Sequence, residues 1–179
     1  AIAFFSLANV HVDLKELKEA VSCYHKAIEI NPSIVSAHNN LGLLYRELND
    51  FQNAKRCYEK AISIKFDHAS SHHNLALAHK ELGEFEKSIK SHQQAIIHEP
   101  DNLMHYHFLS EVKKDILDNN LRKKIEKILS NGKLALVNAA YGNYLLAKYE
   151  NKEKNYEKEL NYLIKGHHNF FNIHKKNLN

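Results

Sequence analysis

The chain has 179 residues, of which 44% are hydrophobic, and it contains two prolines and five glycines. So few turn-forming residues exclude a sheet-rich fold with many loops, and the lack of a run of eighteen apolar residues predicts no membrane span. The net charge of +4 is uneven, because residues 111–179 hold 14 Lys+Arg against 8 Asp+Glu.

Apolar residues recur every three and four positions through the first hundred residues, which is the pattern of amphipathic helices. In the stretch where the pattern is strongest, Leu41, Leu44 and Leu48 share one helix face, and Asn49 and Asp50 separate this helix from the next. A single helix pair buries too little surface to be stable alone, so neighbouring pairs are required. The spacing predicts helices at 2–13, 17–30, 35–48, 51–64, 69–82 and 85–98.

Residues of similar type recur 34 positions apart. Leu41 corresponds to Leu7 one period earlier and to Leu75 one period later, and Tyr58 corresponds to Tyr24. This pattern resembles the tetratricopeptide repeat (TPR) family, which implies an all-α fold, a right-handed solenoid of antiparallel helix pairs. The resemblance implies repeats at 1–34, 35–68 and 69–102, a divergent fourth repeat at 103–133, a divergent closing helix pair at 134–168 and a tail at 169–179, all in one solenoid domain.

The 34-residue phase is lost after Ser110. The remaining pattern predicts a basic helix at 121–129, a stop at Asn131-Gly132, a long helix at about 134–149 and a last helix at 155–166. The region 116–168, through Leu146-Ala147-Lys148-Tyr149 and Asn155-Tyr156-Glu157-Lys158, resembles the last repeat before the catalytic domain in bacterial TPR–sulfotransferase proteins. We expect no catalytic domain in this chain, because its five glycines are isolated and form no phosphate-binding loop.

The fourteen histidines invite a metal hypothesis, but the repeat accounts for many of them. His38 and His72 fall where the family places a large packing aromatic, and His79 and His92 fall in columns that hold tyrosine in other units. We therefore expect no metal site and no cofactor. The repeat at 69–102 contains three histidines at positions predicted to be buried. Because burial opposes protonation, we expect this repeat to be the one whose stability is most sensitive to acid.

Neither a nucleophile–base arrangement nor an activated cysteine is evident, so we expect no enzymatic activity. Acidic residues of the turns, such as Glu16 and Glu84, are predicted to be solvated. Cys23 and Cys57 lie on successive second helices, whose separation of about 8–10 Å is too large for a disulfide. Reduced thiols predict a cytoplasmic protein.

Asn40 and Asn74 occupy the same position in successive first helices, immediately before Leu41 and Leu75. Side-chain amides in series can pair with the backbone of an extended peptide, and the arrangement resembles the asparagine ladder in the TPR superhelix of O-linked N-acetylglucosamine transferases. The predicted peptide-binding groove comprises Asn9, Asn39, Asn40, Leu43, Arg46, His73, Asn74, Leu77, Lys80, His107, Glu111 and Lys114.

The sequence thus predicts a scaffold that binds an extended peptide or a partner protein. The positions where TPR carboxylate clamps carry Lys and Arg hold Phe5, Leu43, His73 and Leu77, so we expect no recognition of an acidic peptide C-terminus. The alternatives are the substrate-presenting array of a TPR–sulfotransferase and an anionic-ligand binder using the basic segment 113–133. We expect neither a membrane nor a nucleic acid as partner.

Overall fold

The computed structural model describes residues 1–131 and 134–176, in which the only regular secondary structure is helical. Gly132, part of the predicted stop at Asn131-Gly132, lies outside these residues. The helices are α1 (Ile2–Asp13), α2 (Leu17–Ile30), α3 (Val35–Glu47), α4 (Phe51–Ile64), α5 (Ala69–Glu81), α6 (Phe85–His98), α7 (Leu103–Val112), a 3-10 turn (Lys114–Ile116), α8 (Asn119–Leu129), α9 (Leu136–Lys152) and α10 (Tyr156–Lys176).

The chain forms two compact units, unit 1 (Ala1–His98) and unit 2, which begins at Glu99. In unit 1, α1 packs on α2, α3 on α4 and α5 on α6, and each pair contacts the next through α2 and α3 or α4 and α5. The six helices predicted here are confirmed, with bounds that differ by at most one residue. The expectation that all repeats form one solenoid domain stays a prediction.

The turns inside the three helix pairs of unit 1 share one backbone conformation. Lys15, Asn49 and Gly83 lie 34 residues apart and have φ angles of 63°, 59° and 74°. Gly83 adopts the left-handed conformation that glycine tolerates best, and Lys15 and Asn49 adopt it at the same position of the other two turns despite their side chains.

His38, His72 and Tyr106 lie 34 residues apart, and each makes the same hydrogen bond at the turn between two successive repeats. The Nε2 atoms of His38 and His72 donate to the carbonyl oxygens of Pro32 and Phe66 at 2.9 and 2.8 Å. In unit 2, the Tyr106 hydroxyl donates to the Pro100 carbonyl at 3.0 Å. The imidazole and the phenol therefore have the same structural role, because each donates a hydrogen bond that fixes the backbone carbonyl six residues before it.

Two of the acidic turn residues are not simply solvated, which corrects the sequence prediction. The carboxylates of Glu16 and Glu84 accept hydrogen bonds from Nδ1 of His11 and His79 at 2.6 and 2.5 Å. The His79 bond is the main reason that the pKa of Glu84 lies below its usual range. His79 is therefore buried and hydrogen-bonded to an acidic side chain, in addition to its packing role.

Small residues let the helices of each pair approach closely. A Cβ atom built on Gly42 would lie 2.5–2.9 Å from three ring carbons of Tyr58, whose side chain is fully buried. Glycine at position 42 therefore permits the close approach of α3 and α4. In unit 2, Gly142 occupies a similar place, because a Cβ there would lie 2.6 Å from Leu103 and 2.9 Å from Leu129.

Unit 2 is built around α9, on which α7, α8 and α10 all pack. The side-chain carbonyl of Asn138 on α9 accepts from the backbone N–H of Leu103, the first residue of α7, at 2.6 Å. The Asn138 amide donates to the carbonyl of Asp101 at 2.8 Å. The buried carboxylate of Glu150 lies 3.4 Å from the guanidinium of Arg122 on α8.

The last helix is longer than predicted, since α10 continues to Lys176 instead of ending near 166. Phe170 explains part of the extension, because its ring packs on Tyr141 and Tyr144 at centroid distances of 5.6 and 5.8 Å. The polar tail expected at 169–179 is thus helical as far as the structure describes it. The division of 103–168 into a fourth repeat and a closing pair stays a prediction.

Candidate peptide-binding surfaces

The first helices of unit 1 bring four asparagines into one row of hydrogen bonds, which we call the asparagine row: Asn9, Asn40, Asn39 and Asn74. Asn74 Nδ2 donates to Asn39 Oδ1 at 3.0 Å, and Asn39 Nδ2 lies 3.4 Å from Asn40 Oδ1. Asn40 Nδ2 lies 3.4 Å from Asn9 Oδ1. Each asparagine therefore donates to the next one in the row, from Asn74 on α5 to Asn9 on α1.

Asn40 and Asn74, the pair predicted from the 34-residue spacing, are linked through Asn39. Asn39 Oδ1 also accepts from the Ser71 hydroxyl at 3.1 Å, which ties α3 to α5 a second time. Asn39 and Asn74 are buried, each with 8% of its surface exposed, whereas Asn9 and Asn40 are half-buried. The solvent-accessible end of the row is therefore at Asn9 and Asn40.

A hollow of about 490 Å³ lies beside this accessible end. Its wall includes Asn9, Asn40 and Leu43 from the predicted groove, together with Tyr24 from the second helix of the first pair. The Tyr24 hydroxyl donates to Asn9 Oδ1, and burial raises the pKa of the phenol, which keeps it a neutral donor. The hollow can thus offer a peptide both amide groups and an apolar wall.

The other predicted residues of unit 1 do not line this hollow. His73 is buried against His92, with ring centroids 5.3 Å apart. Arg46, Leu77 and Lys80 are half-buried. Their part in a groove stays a prediction.

The three predicted residues of unit 2, His107, Glu111 and Lys114, line one pocket of about 660 Å³. His107 Nε2 and a carboxylate oxygen of Glu111 are 3.6 Å apart. We call this cavity the lysine pocket, because two further lysines, Lys148 and Lys152 of α9, also line it. Sequence reasoning missed them, although their spacing of four residues marks one face of a helix.

The described residues give little support for a metal site, a reactive thiol or a membrane-spanning helix. In 1–131 and 134–176 no three His, Cys, Asp or Glu side chains converge as metal ligands would. Cys23 and Cys57 are free thiols, and burial raises the pKa of Cys57 to about 11, which suppresses the reactive thiolate. Across the same described ranges, no helix has the length and apolar character needed to cross a bilayer.

Family models match three stretches of the chain: a TPR repeat model at 8–48, and tetratricopeptide repeat models at 35–68 and 71–103. The chain contains tetratricopeptide repeats. These matches confirm the TPR resemblance, whereas none of them extends into the region that resembles TPR–sulfotransferase proteins. No curated protein matches the chain.

Solved TPR structures have a similar fold. The first TPR of Spaghetti (RPAP3), bound to the HSP90 peptide SRMEEVD, is 18% identical, with a TM-score of 0.62, covering 65% of this TPR chain and 93% of its own. MamA is 16% identical with a TM-score of 0.67, covering 94% and 96% of the two chains. The Arabidopsis OM64 TPR domain is 22% identical with a TM-score of 0.60, covering 63% and 93%. At these identities the similarity concerns the fold.

Proposed function

We propose that this TPR chain is a binding scaffold without catalytic activity of its own, which holds an extended peptide segment of a partner on the first-helix surface of unit 1. The observation that carries the proposal is the asparagine row, whose accessible end, Asn9 and Asn40, borders a hollow of about 490 Å³.

Asparagine suits this role because its amide supplies two donors and one acceptor, which match the acceptor and donor of each peptide unit. The bonds that Asn40 Nδ2 makes to Asn9 Oδ1 and to the Tyr24 hydroxyl are long, 3.4 and 3.3 Å. Bonds of this length are weak, so exchanging them for bonds to a peptide costs little. Pairing with the backbone would give affinity with little dependence on peptide sequence.

The RPAP3 structure supports the proposal, since it is a TPR of similar fold bound to a peptide. The chemistry of recognition in this chain differs from a carboxylate clamp. Phe5, Leu43 and Leu77 stand where such clamps carry Lys and Arg, so an acidic C-terminus is not the expected ligand on this surface.

The alternative of a substrate-presenting sulfotransferase array rests on the short resemblance in 116–168, and none of the comparisons supports it. The alternative of the basic segment 113–133 as an anion-binding surface rests on its charge and on Lys114, which lines the lysine pocket. The cytoplasmic location predicted from the reduced thiols stays a prediction.

A displayed library of random twelve-residue peptides, selected on the purified chain, tests the proposal. The selected peptide is then titrated into ¹⁵N-labelled protein, and the side-chain NH₂ signals of Asn9 and Asn40 are followed. We expect these signals to shift together with backbone amides of α1 and α3. Shifts confined to the second helices α2, α4 and α6, or failure to select any peptide, would contradict the proposal.

A peptide-side control separates backbone pairing from side-chain recognition. N-methylation of central peptide bonds removes N–H donors, so it should weaken binding, whereas single alanine replacements in the same peptide should matter less. The opposite order would mean that the surface recognises side chains and that the asparagines play another part.

A further inference from the structure

The lysine pocket of unit 2 combines cationic groups with an apolar wall. Lys114 reaches it from the 3-10 turn, and Lys148 and Lys152 reach it from α9. Ala147 and Leu163 contribute aliphatic surface. Its volume of about 660 Å³ lies within the usual range of small-ligand pockets, about 300–1,000 Å³.

Two of the ammonium groups are held in place by neutral oxygen atoms. Lys148 Nζ donates to the Ser110 hydroxyl at 3.0 Å, and Lys152 Nζ donates to the backbone carbonyl of Leu117 at 2.9 Å. A bond to a neutral acceptor fixes the position of an ammonium group and does not cancel its charge. Because an ammonium carries three donors, the bond to the Leu117 carbonyl does not saturate Lys152.

Two carboxylates also line the pocket, and they limit the charge of a ligand. Glu111 lies 3.6 Å from His107, and both oxygens of Glu159 accept from the Asn151 amide at 2.9 Å. The three lysines that line the pocket exceed its two glutamates by one positive charge. The balance therefore suits a monoanion better than a phosphate dianion.

We propose that the lysine pocket binds a carboxylate joined to an apolar body, with the carboxylate near Lys114, Lys148 and Lys152 and the apolar part against Ala147 and Leu163. The carboxylate belongs either to a small organic acid or to a glutamate side chain flanked by apolar residues. In the second case the lysine pocket is a peptide-binding site of unit 2 in its own right, separate from the surface proposed on unit 1.

Two pairs of probes test the inference on the full chain. The first pair is 3-phenylpropanoate and its amide, and the second is acetyl-Leu-Glu-Leu-amide and its glutamine analogue. Titrations followed by amide chemical shifts in α9 and the 3-10 turn give the affinities. We expect the carboxylate of at least one pair to bind about tenfold or more tightly than its neutral analogue, since bonds to charged groups are the stronger ones. The pair with the larger difference identifies the source of the carboxylate.

Lys114→Gln and Lys152→Gln should each remove most of this preference, and both side chains are exposed, so the fold should tolerate the changes. Lys158→Gln is the matched control, because it removes an exposed lysine of α10 that does not line the pocket. The inference is overturned if neither carboxylate shifts the α9 signals, if the neutral analogues bind equally well, or if all three variants behave like wild type.

The library-selected peptide distinguishes the two proposals. If its binding to unit 1 persists while the carboxylates fail in unit 2, the inference alone is wrong. If the carboxylates bind and no library peptide is selected, the proposed function is wrong and the inference about the lysine pocket stands.

Discussion

Replacing Gly42 by alanine adds a single carbon atom at the closest approach of α3 and α4. The new Cβ would lie 2.5 Å from Cε1, 2.8 Å from Cδ1 and 2.9 Å from Cζ of Tyr58. Carbon atoms in favourable contact are about 3.5–4.0 Å apart, so the overlap is roughly 1 Å. The Tyr58 side chain is fully buried, so its ring has little room to move aside.

The magnitude follows from two opposing effects. Overpacking of a core costs about 1–3 kcal/mol, and exchanging glycine for alanine inside a helix gains about 1 kcal/mol. Because three ring carbons are crowded at once, we expect a net loss of about 1–2 kcal/mol. In a unit of this size that corresponds to a decrease in melting temperature of about 5–10 °C. Gly42→Leu should destabilise more than any surface substitution between 35 and 68.

Thermal unfolding followed by circular dichroism measures the effect, and a double-mutant cycle with Tyr58→Leu assigns its cause. In the Tyr58→Leu background the ring is gone, so Gly42→Ala should be neutral or stabilising. An unchanged or higher melting temperature for Gly42→Ala in the wild-type background would refute the close-approach argument. So would an equal loss in both backgrounds.

Three further predictions test contacts elsewhere. Asn138→Ala should destabilise unit 2 by about 1–2 kcal/mol, because it leaves a backbone donor and a backbone acceptor at the start of α7 without their partner. Thermal unfolding beside the exposed control Asn161→Ala measures this, and equal melting temperatures would contradict it. Arg122→Met should cost about 1–3 kcal/mol, because it removes the cation beside buried Glu150 and Arg122 itself is partly exposed. Adding Glu150→Gln should recover part of that loss in chemical denaturation, and no recovery would exclude the ion pair as the cause. His72→Phe should reduce the acid sensitivity of unit 1. Burial lowers the pKa of His72, so below about pH 6.5 the unfolded chain binds a proton that the folded chain resists, and stability falls until the lower folded pKa is reached. Hydrogen exchange at about pH 7.5 and about pH 5.5, corrected for intrinsic rates, tests this, and the same pH dependence in wild type and variant would refute it.

Periodicity was sufficient to predict unit 1, because each repeat marks its helices and turns with residues that act locally. Gly83 ends one helix in the left-handed conformation, and Asp50 begins another by accepting from the Asn53 backbone N–H at 3.1 Å. The left-handed residue recurs 34 positions apart at Lys15, Asn49 and Gly83, so each repeat supports the helix boundaries predicted for its neighbours.

Unit 2 was harder to predict because its helices are set by contacts distant in sequence. The packing of Phe170 on Tyr144 that accompanies the extension of α10 joins residues 26 positions apart, which helical spacing does not reveal. The lysine pocket likewise combines α7, α9 and α10, after the repeat phase has ended.

The asparagine row shows the same limit on a smaller scale. The 34-residue spacing identified Asn40 and Asn74 as equivalent, yet Asn39 is the residue that connects them. The contact of His79 with Glu84 was recoverable, because His11 and Glu16 repeat the same five-residue separation 68 positions earlier.

The most direct test of the central claim is the affinity of a library-selected peptide for wild type and for the double variant Asn40→Ala, Asn74→Ala, which removes two of the four amides of the asparagine row. Gln52→Ala, which removes an exposed amide from the second helix α4, is the matched control. Circular dichroism establishes that all three proteins retain the same helical content. We expect the double variant to bind about tenfold more weakly, the equivalent of one or two neutral hydrogen bonds, and the control to bind as wild type does. Equal affinity of wild type and the folded double variant would contradict the claim that the asparagine row recognises the peptide.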